Sequence, residues 1–336
     1  MHSPPKISIA IATWRRRELL ERVIRAAEAQ TMPREDYEIV VCDSGSDDGT
    51  AELMSRLMRE FSNLRYVDLA VNTLAAKRNA GLRESRAEIV VFLDDDAVPS
   101  PAFAEEHWKA HMVPPRENQV ICGGVRFPQD WISRSNYFRF RDSRHLGPAR
   151  PEVDANDIPY HMIVVMNLSF RKDDILNRAG LVSEEFQRYG GEDYEFGYRV
   201  ARSGLKIRFA PLALVEHRES GGSIGQYFKK LYITSRDSLP VLYRLAPDAR
   251  ETALSRWLEP DSPANGLPAR LARKLLRAAL NHRCVEAAEL LLERTDGWRA
   301  CYSPVLFRYV FAGAMMQGIR DRDCASQSPD RRGWFE

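Results

Sequence analysis

A short apolar segment that ends in three acids constrains the fold of this chain more than any other feature. Residues 89–93 are typical of a strand covered on both faces, and Asp94, Asp95 and Asp96 follow directly. Adjacent carboxylates repel one another unless they are solvated or bound to a cation, and their oxygens suit Mg²⁺ or Mn²⁺. If the backbone stays extended, Asp94 and Asp96 point to one side and Asp95 to the other. Taken alone, the segment is equally compatible with an acidic turn that binds nothing.

Apolar strands and amphipathic helices alternate through the first hundred residues. Strand patterns occur at residues 7–13, 37–41, 64–67 and 89–93, and helical patterns around 19–27, 53–61 and 73–84. This alternation predicts an α/β fold with a doubly wound, mostly parallel sheet flanked by helices. Ligands bind beyond the carboxyl ends of the strands in such sheets. Thr13, Asp43 and the three acids all lie at predicted strand ends, so we expect them to share one crevice.

The chain continues in the same pattern up to about residue 217, with one long interruption. Ser100 and Pro101 predict the start of a helix that reaches Met112, and residues 128–160 are expected to be irregular. The other predicted elements are a strand over 119–127, in which Gly123 and Gly124 mark a bulge or a close backbone approach, a strand over 163–170, a short helix that ends at Gly180, a helix from Glu192 to Gly204, and strands over 206–210 and up to His217.

After residue 240 the composition changes, and a helical extension is predicted. Residues 259–268 are rich in turn formers and predict a linker, and helices are expected around 271–279, 285–294 and 305–316. The first of these helices is basic and amphipathic. It favours packing on its own domain with a solvated basic face, and the alternative is contact with an anionic membrane surface. We therefore predict an α/β domain over residues 1–240 and a helical extension over 241–336.

Composition excludes several classes of protein. The chain has 336 residues, of which 44% are hydrophobic and 29% charged, and this balance is typical of a globular fold. A net charge of +2 gives no general attraction to nucleic acid. The five cysteines are an odd number without a close pair, which fits neither a disulfide framework nor a zinc site. Because no leader and no run of 18 apolar residues is found, we expect a soluble cytoplasmic protein.

Several motifs, in order along the chain, resemble family 2 glycosyltransferases of the GT-A fold. They are Ile-Ala-Thr-Trp-Arg-Arg around Thr13, Asp-Ser-Gly-Ser-Asp-Asp-Gly-Thr from Asp43, Leu-Ala-Ala-Lys-Arg-Asn-Ala-Gly from Leu74, Phe-Leu-Asp-Asp-Asp from Phe92, Met-Asn-Leu-Ser-Phe-Arg-Lys from Met166, and Tyr-Gly-Gly-Glu-Asp-Tyr-Glu-Phe-Gly-Tyr-Arg from Tyr189. The last resembles the Gly-Gly-Glu-Asp (GGED) variant of bacterial chondroitin-type polymerases and β-1,4-galactosyltransferases. The resemblance covers about residues 6–220 and implies a donor half over about 1–127 and an acceptor half over about 128–240.

For the donor half, the resemblance implies a site for a UDP-sugar. The residues expected to hold the donor are Thr13, Trp14, Arg15, Asp43, Lys77, Arg78, Asp94 and Asp95. Asp43 would accept the imide N–H of uracil and Asp95 would contact the ribose. Lys77 and Arg78 would approach the base or the diphosphate, because a turn that opens a helix offers amides to anions and the two cations add charge.

The resemblance also implies a divalent cation, Mn²⁺ or Mg²⁺, in the donor half. Asp96 would bind this metal directly, Asp94 would assist directly or through water, and His217 would complete the site. A lone histidine at a strand end is more often structural than a ligand, and only its place after the GGED helix favours a ligand here. Glu216 and Glu219 are weaker alternatives.

For the acceptor half, the resemblance implies that Asp193 is the general base and that Glu192 positions the acceptor. Tyr189, Gly190, Gly191 and Asn167 are expected to contact the acceptor, which would be a carbohydrate, a glycolipid or another small molecule. Tyr189 departs from the tryptophan that relatives commonly have before Gly-Gly-Glu-Asp, so the acceptor need not be theirs. Without the other motifs, Glu192 and Asp193 would be read as acids that complement a helix dipole.

Together these features predict an inverting, metal-dependent glycosyltransferase with a role in polysaccharide biosynthesis. The metal would stabilise charge on the departing diphosphate, and a carboxylate would take the proton of the attacking hydroxyl. One alternative is a sugar nucleotidyltransferase, although residues 13–17 lack the Gly-rich phosphate loop that it would need. The other is a non-catalytic nucleotide-sugar-binding scaffold, against which stand the acids, His217 and Asp193.

Overall fold

The computed structural model describes residues 4–114, 118–219, 222–251, 255–259 and 267–322. The strands are β1 (Ile7–Ala12), β2 (Tyr37–Asp43), β3 (Leu64–Asp68), β4 (Ile89–Asp94), β5 (Ala97–Pro99), β6 (Gln119–Arg126), β7 (Asn167–Arg171) and β8 (Lys206–His217). The helices of the donor half are α1 (Arg17–Glu28), α2 (Thr50–Glu60), α3 (Leu74–Glu84) and α4 (Phe103–Met112). Those that follow are α5 (Gln129–Arg134), α6 (Asn136–His145), α7 (Lys172–Asp174), α8 (Glu192–Arg202), α9 (Ile224–Ile233), α10 (Leu239–Leu245), α11 (Ser255–Leu258), α12 (Leu267–Ala279), α13 (His282–Arg294) and α14 (Pro304–Arg320).

The eight described strands form one mixed sheet in the order β3-β2-β1-β4-β7-β6-β8-β5. The pairs among β1 to β4 are parallel, as is the pair of β6 and β8, whereas β7 and β5 run antiparallel to their neighbours. The chain moves outward from β1 to β2 and β3 and then returns to the other side of β1 for β4. This reversal places the carboxyl ends of β1 and β4 side by side, where α/β sheets bind ligands. The predicted mostly parallel, doubly wound sheet is confirmed.

Alternate residues of the central strands supply two separate cores, one on each face of the sheet. Ile7, Ile9 and Ile11 of β1 belong to the core that α1, α2 and α4 cover, whereas Ala10 belongs to the core that α3 and α8 cover. The same alternation divides β4, with Phe92 in the second core. Because both faces are buried, these strands are apolar at almost every position, and this is why they read as short, nearly continuous apolar runs in the sequence.

A bulge where β6 pairs with β8 sets the path of the strand that carries His217. The register shifts between Gly123, which pairs with Ala210, and Gly124, which pairs with Leu214. Residues 211–213 of β8 are therefore extra. Beyond the bulge, β8 pairs with β5 so that His217 lies opposite Ala97. The predicted bulge at the two glycines is confirmed, and it brings the end of β8 to the residue that follows Asp96.

Two sequence-based predictions about local structure are wrong. Ser100 does not cap a helix: its carbonyl accepts a turn hydrogen bond from the Phe103 amide at 3.0 Å, and α4 begins there without a side-chain cap. Residues 129–145 are not irregular, because they form α5 and α6. Their aromatic residues lack a clear helical period, and Tyr137 and Phe140 are buried against residues far along the chain.

The described residues fall into two compact units. Unit 1 comprises Met1–Gln129, Arg141–Glu184 and Phe196–Ser220, and unit 2 comprises Asp130–Phe140, Glu185–Glu195 and Gly221–Glu336. The sheet belongs to unit 1. The domain boundary near residue 240 stays a prediction, and residues 260–266 of the predicted linker lie outside the described residues.

Unit 2 is built around α14, which is buried along most of its length. Phe140 stacks on Phe307 with ring centroids 4.9 Å apart and meets Phe311 edge-on at 5.1 Å. α13 packs so closely that a Cβ atom at Gly313 would lie 2.3 Å from the Val285 side chain. The predicted helices of the C-terminal region are therefore present: α13 and α14 share an aromatic core, and α12 packs on α14 in a second cluster. No helix in the described parts of the chain is long and apolar enough to cross a bilayer.

Replacing Gly123 with alanine should destabilise the bulge. A Cβ atom at Gly123 would lie 2.4 Å from the Ala213 carbonyl oxygen and 2.4 Å from the Asn167 amide, both held by the sheet. We expect the free energy of unfolding to fall by about 3 kcal/mol. Gly147→Ala is the control, because the nearest atom to its new Cβ is the Met162 sulfur at 4.0 Å. Urea denaturation of both variants checks this, and equal stabilities would contradict the proposed close approach.

Candidate active site

The carboxyl ends of β1 and β4 meet through Asp95. The Thr13 hydroxyl donates a hydrogen bond to Asp95 Oδ2 at 2.8 Å, and the Arg16 guanidinium donates to Asp95 Oδ1 at 2.9 Å. Burial raises the pKa of Asp95 to about 6, since its desolvation outweighs the attraction of Arg16. Burial alone would lower the pKa of Arg16, but Asp95 and Asp96 outweigh it and raise that pKa. The two strand ends are thus joined by a buried network of one hydroxyl, one carboxylate and one guanidinium.

Asp96 lies beside His217. The same Arg16 nitrogen that bonds Asp95 also donates to Asp96 Oδ2 at 2.8 Å, and His217 Nε2 lies 3.6 Å from Asp96 Oδ1. The Arg218 amide donates to the Asp96 carbonyl at 2.7 Å, which fixes the end of β8 against the acidic turn. One carboxylate oxygen and one imidazole nitrogen therefore face each other at a spacing that a shared ligand could bridge.

Aromatic and charged side chains enclose His217. Its ring stacks on Phe127 with centroids 5.0 Å apart, and the His145 ring lies 6.0 Å away. His217 Nδ1 is buried and makes no hydrogen bond to any described residue. Arg141 and Glu219 form a buried ion pair at 3.1 Å in the same wall, with the Arg141 guanidinium over the Phe127 ring. Sequence reasoning missed this wall, since α6 was read as irregular.

The third acid, Asp94, faces helix α3. Arg78 donates a hydrogen bond to Asp94 Oδ1 at 2.9 Å, and Lys77 donates to Asn72 Oδ1 at 2.8 Å. Burial lowers the pKa of Lys77. α3 comes close to the sheet because it has a glycine where it crosses β1: a Cβ atom at Gly81 would lie 2.8 Å from the Ala10 Cβ. Asp94 thus pairs with Arg78, and no three Asp, Glu, His or Cys side chains in the described parts of the chain form a complete metal site. The role of Asp94 at the metal stays a prediction.

Trp14 and Arg15 border the loop after β2. The backbone at Arg15 has a φ of 52°, which turns the chain between β1 and α1. Its amide donates to Ser46 Oγ at 2.7 Å, and its guanidinium pairs with Asp47 at 2.6 Å and stacks on the Trp14 ring at 4.7 Å. The indole is 40% exposed. These predicted donor-binding residues therefore form an accessible rim beside the acids.

Asp43 does not face this crevice as predicted. It is fully buried, and its carboxylate accepts hydrogen bonds from the Ser44 amide (2.7 Å), the Ser46 amide (3.2 Å), the Ser46 hydroxyl (2.7 Å) and the Tyr66 hydroxyl (2.9 Å). Four donors use the four lone-pair positions of a carboxylate. Asp43 therefore shapes the loop that holds Arg15, and the prediction that it accepts the uracil imide disagrees with this geometry.

Asn167 is also not available to an acceptor as predicted. It is fully buried, and its amide nitrogen donates to the Gly124 and Ala213 carbonyls, both at 2.9 Å, across the bulge. Its amide oxygen bonds His107 Nε2 at 2.8 Å. The Ser169 hydroxyl links His107 Nδ1 (2.8 Å) and His111 Nε2 (2.9 Å). Burial lowers the pKa of His107 to about 4, so a neutral polar network holds the bulge.

Unit 2 carries the first residues of the predicted acceptor motif. Glu192 and Asp193 are half-buried in the first turn of α8, and Tyr189 is half-exposed. Gly190 and Gly191 have φ values of 92° and 94°, and Cβ atoms there would clash with Thr234 and Phe186. Backbone conformation and packing therefore suffice to explain both glycines, without a sugar ring against them.

Sequence reasoning named Arg15 but missed Arg16, which is the cation that contacts two of the acids. Three arginines follow Trp14, and their order does not reveal which one turns inward. The left-handed backbone at Arg15 decides this, since it directs Arg15 to the loop and leaves Arg16 beside the acids. A signal did exist, because buried carboxylates need a cation on a neighbouring element.

Comparison with known proteins identifies the fold first. Mannosyltransferase PcManGT from Pyrobaculum calidifontis, solved in complex with GDP-Man and Mn²⁺, superposes with a TM-score of 0.60 and 19% identity over 97% of this chain and 89% of that one. At this identity the likeness concerns the fold alone. The mixed sheet with its flanking helices is thus the GT-A fold that the sequence predicted.

The sequence itself defines the family. Residues 8–173 match the model for glycosyl transferase family 2. Glycosyltransferase AglE of Haloferax volcanii is 33% identical over 260 residues, which are 76% of this chain and 80% of the relative. Chondroitin synthase of Escherichia coli is 29% identical over 253 residues, or 64% of this chain. The chain therefore belongs to glycosyltransferase family 2, as predicted.

Several of these relatives are much longer proteins. The chain spans 35% of the length of chondroitin synthase and about half that of validoxylamine A glucosyltransferase from Streptomyces hygroscopicus. The fold and the family are confirmed, and the relatives are named as glycosyltransferases or synthases. The likeness to the GGED variant and the assignment of site residues stay predictions.

Removing the Arg16 charge should destabilise the acidic turn. Arg16→Gln leaves Asp95 and Asp96 buried without their shared cation, so we expect the free energy of unfolding at pH 7 to fall by about 2 kcal/mol. Arg15→Gln is the matched control, because its pair with the exposed Asp47 contributes less than about 1 kcal/mol. The difference should shrink near pH 5, where a protonated Asp95 no longer needs a counter-ion. Equal urea midpoints for the two variants at pH 7 would contradict the role of Arg16.

Proposed function

We propose that this chain is an inverting, metal-dependent glycosyltransferase that moves a sugar from a UDP-sugar to a hydroxyl group on a carbohydrate acceptor. One observation carries the proposal. Three acids end the strand at the switch point of a GT-A sheet, and Arg16, Lys77 and Arg78 converge on them from two elements. Such mixed charge suits a nucleoside diphosphate and a divalent cation together, because the basic side chains attract the diphosphate and the carboxylates attract the cation.

The proposed donor site combines one exposed aromatic side chain with buried charged groups at the carboxyl ends of β1 and β4. Trp14 offers an exposed indole face to the nucleobase, with Arg15 and Thr13 beside it. Asp95 lies at the join of β1 and β4, where it would accept from the ribose. Lys77 and Arg78 supply positive charge for the diphosphate from the first turns of α3. Asp43 acts through its loop and does not contact the base.

The residues at the acidic turn fit a divalent cation as a partial set of ligands. Among the described residues, no three His, Cys, Asp or Glu side chains are arranged as a complete metal site. Asp96 Oδ1 and His217 Nε2 face each other at 3.6 Å, and oxygen with imidazole nitrogen is a donor pair that Mn²⁺ accepts. Asp96 and His217 would hold the ion, with diphosphate oxygens as its further ligands. When bound, the ion supplies Lewis-acid stabilisation of the departing diphosphate.

The proposed general base is Asp193 and the proposed acceptor-positioning residue is Glu192. Both are half-buried at the start of α8, after a turn in which Gly190 and Gly191 adopt positive φ values. In an inverting transfer, the acceptor oxygen attacks the anomeric carbon opposite the diphosphate, and its proton passes to a carboxylate. Asp193 would take that proton while the bond to the diphosphate oxygen breaks. A base so placed contributes roughly 10² to 10⁴ in rate.

Release of UDP tests the proposal against its two alternatives. The protein is incubated with a panel of UDP-sugars, Mn²⁺ and carbohydrate acceptors, with and without chelator. We expect UDP release that requires both metal and acceptor, and a product whose anomeric configuration is opposite to that of the donor. Pyrophosphate formed from UTP and a sugar phosphate would instead identify a nucleotidyltransferase. Donor binding without turnover across the panel would identify a scaffold.

Asp193→Asn should separate chemistry from binding. The substitution keeps the shape of the side chain but removes the base, so we expect kcat to fall by roughly 10²-fold or more with UDP affinity unchanged by calorimetry. Glu192→Gln is the matched control on the same helical turn. It should raise the KM for the acceptor with a smaller loss of kcat. An Asp193→Asn enzyme with unaltered turnover would refute the assignment of the base.

A further inference from the structure

Helix α12 exposes its apolar side to solvent. Leu271 is 58% exposed and Leu275 is 62% exposed. Pro268, Ala272, Ala278 and Ala279 are exposed as well, and on a helical projection these positions form one continuous stripe with the two leucines. The predicted packing of this helix on its own domain is therefore partial, because Leu276 is covered whereas Leu271 and Leu275 are not.

The contacts of α12 with α14 fix this orientation. Leu276 and Leu280 pack with Met316 and Ile319, and they occupy the opposite side of α12 from the exposed leucines. The C-terminal end of α12 is also tied down, because the Tyr309 hydroxyl donates to the Ala279 carbonyl at 2.8 Å. Arg320 donates to the Arg277 and Leu280 carbonyls at 2.6 Å and 3.2 Å. The helix cannot rotate to bury Leu271 and Leu275 without breaking these contacts.

Positive charge borders the exposed stripe. α12 contains Arg270, Arg273, Lys274 and Arg277 and no acidic residue. Arg270 and Lys274 are exposed and lie on the helix next to the stripe, at the positions that precede Leu271 and Leu275. An apolar stripe beside long basic side chains is the arrangement of a helix that lies in the plane of an anionic membrane surface, with its leucines below the headgroups.

A second surface in unit 2 also exposes apolar side chains, but its charge is mixed because α13 contains three glutamates as well as arginines. On α13, Leu290 and Leu291 are about half exposed, with Arg283 and Arg294 on the same outward face. Trp298, which follows α13, is two-thirds exposed. Seven of the sixteen large apolar side chains that are exposed in the described chain lie after residue 254. Apolar exposure is therefore concentrated in this C-terminal region, where soluble proteins would place polar groups.

Charge distinguishes a lipid surface from a second copy of the chain as the occupant. A two-fold dimer through the exposed stripe of α12 would bring Arg270 and Lys274 of both copies into one interface, with no acidic residue in either helix to balance them. Phosphate headgroups of anionic lipids supply the complementary charge, and the fluid acyl region accepts leucines without a matching shape. The observed combination thus favours lipid.

We propose that α12 docks on anionic lipid headgroups, with Leu271 and Leu275 inserted below them and with Arg270 and Lys274 bound to phosphate. This proposal concerns unit 2 alone and does not depend on the proposed transfer reaction. Its tests are independent of those for the proposed function, because lipid binding is measured without a sugar donor or acceptor.

Flotation of the full chain with lipid vesicles tests the apolar half of the proposal. Wild type should float with phosphatidylcholine vesicles that contain phosphatidylglycerol and should not float with phosphatidylcholine alone. Leu271→Gln/Leu275→Gln should weaken binding at least tenfold. Leu176→Gln/Leu212→Gln is the matched control, since it removes two exposed leucines from unit 1 and should bind like wild type. Circular dichroism verifies that each variant is folded.

A second pair of variants tests the charged half. Arg270→Ser/Lys274→Ser should weaken binding to the phosphatidylglycerol vesicles about fivefold for each charge removed, and added salt should weaken wild type in the same way. Arg22→Ser/Arg59→Ser removes two exposed charges from α1 and α2 and should have a much smaller effect.

Three outcomes would overturn the proposal. The first is wild type that does not float with phosphatidylglycerol vesicles, and the second is Leu271→Gln/Leu275→Gln that floats as well as wild type. The third is a wild type that is a dimer by light scattering and does not bind vesicles, together with a Leu271→Gln/Leu275→Gln variant that is a monomer. This result would identify a second copy of the chain as the occupant of the exposed stripe. UDP release measured on soluble acceptors without vesicles should be the same in wild type and in these variants, so failure here leaves the proposed function intact.

Discussion

Repulsion among Asp94, Asp95 and Asp96 is the constraint on which the donor half of this protein depends. Asp95 and Asp96 are almost fully buried, and leaving such carboxylates without a cation would cost several kcal/mol. The compensation comes from two other elements, with Arg16 after β1 and Arg78 in α3. Only a sheet that places β1 directly beside β4 brings these groups together. The charge balance of the site therefore depends on the strand order. The same cations and anions also make the crevice suited to a charged donor.

Much of the fold could be predicted because its main signals are local. Strands buried on both faces read as apolar runs, and α1, α2 and α3 follow them at regular intervals. The two glycines at 123 and 124 correctly indicated a bulge, since a backbone approach so close leaves no room for a Cβ atom. α5 and α6 could not be predicted in this way. Their stability comes from partners such as Phe307 and Phe311, more than 160 residues away, and nothing in the local pattern reports such a contact.

The site was harder to predict than the fold, and the errors share a cause. A motif shows which type of residue occupies a position. It does not show which polar atoms of that residue are already hydrogen-bonded to neighbouring groups. Asp43 and Asn167 both have the chemistry to bind a ligand, yet their hydrogen-bonding capacity is consumed by the β2 loop and by the β6–β8 bulge. Arg16 is the opposite case, a residue at the site that was not predicted. It lies beside the acids because the backbone turns at Arg15, and the type of the residue does not reveal that turn. The pairing of Asp96 with His217 was foreseen from the family resemblance, and its physical basis is the antiparallel pairing of Ala97 with His217.

The crossing of α3 over β1 couples two positions that are distant in sequence. Gly81 and Ala10 leave no space for an additional methyl group between helix and strand, since a Cβ atom on the first would lie 2.8 Å from that of the second. A larger residue at either position would lift the helix and carry Lys77 and Arg78 away from the acids. During divergence of this family, the two positions are therefore expected to covary, with growth at one tolerated only when the other stays small. Such covariation would mean that the volumes of these two side chains are constrained by the need to hold Lys77 and Arg78 close to the acids.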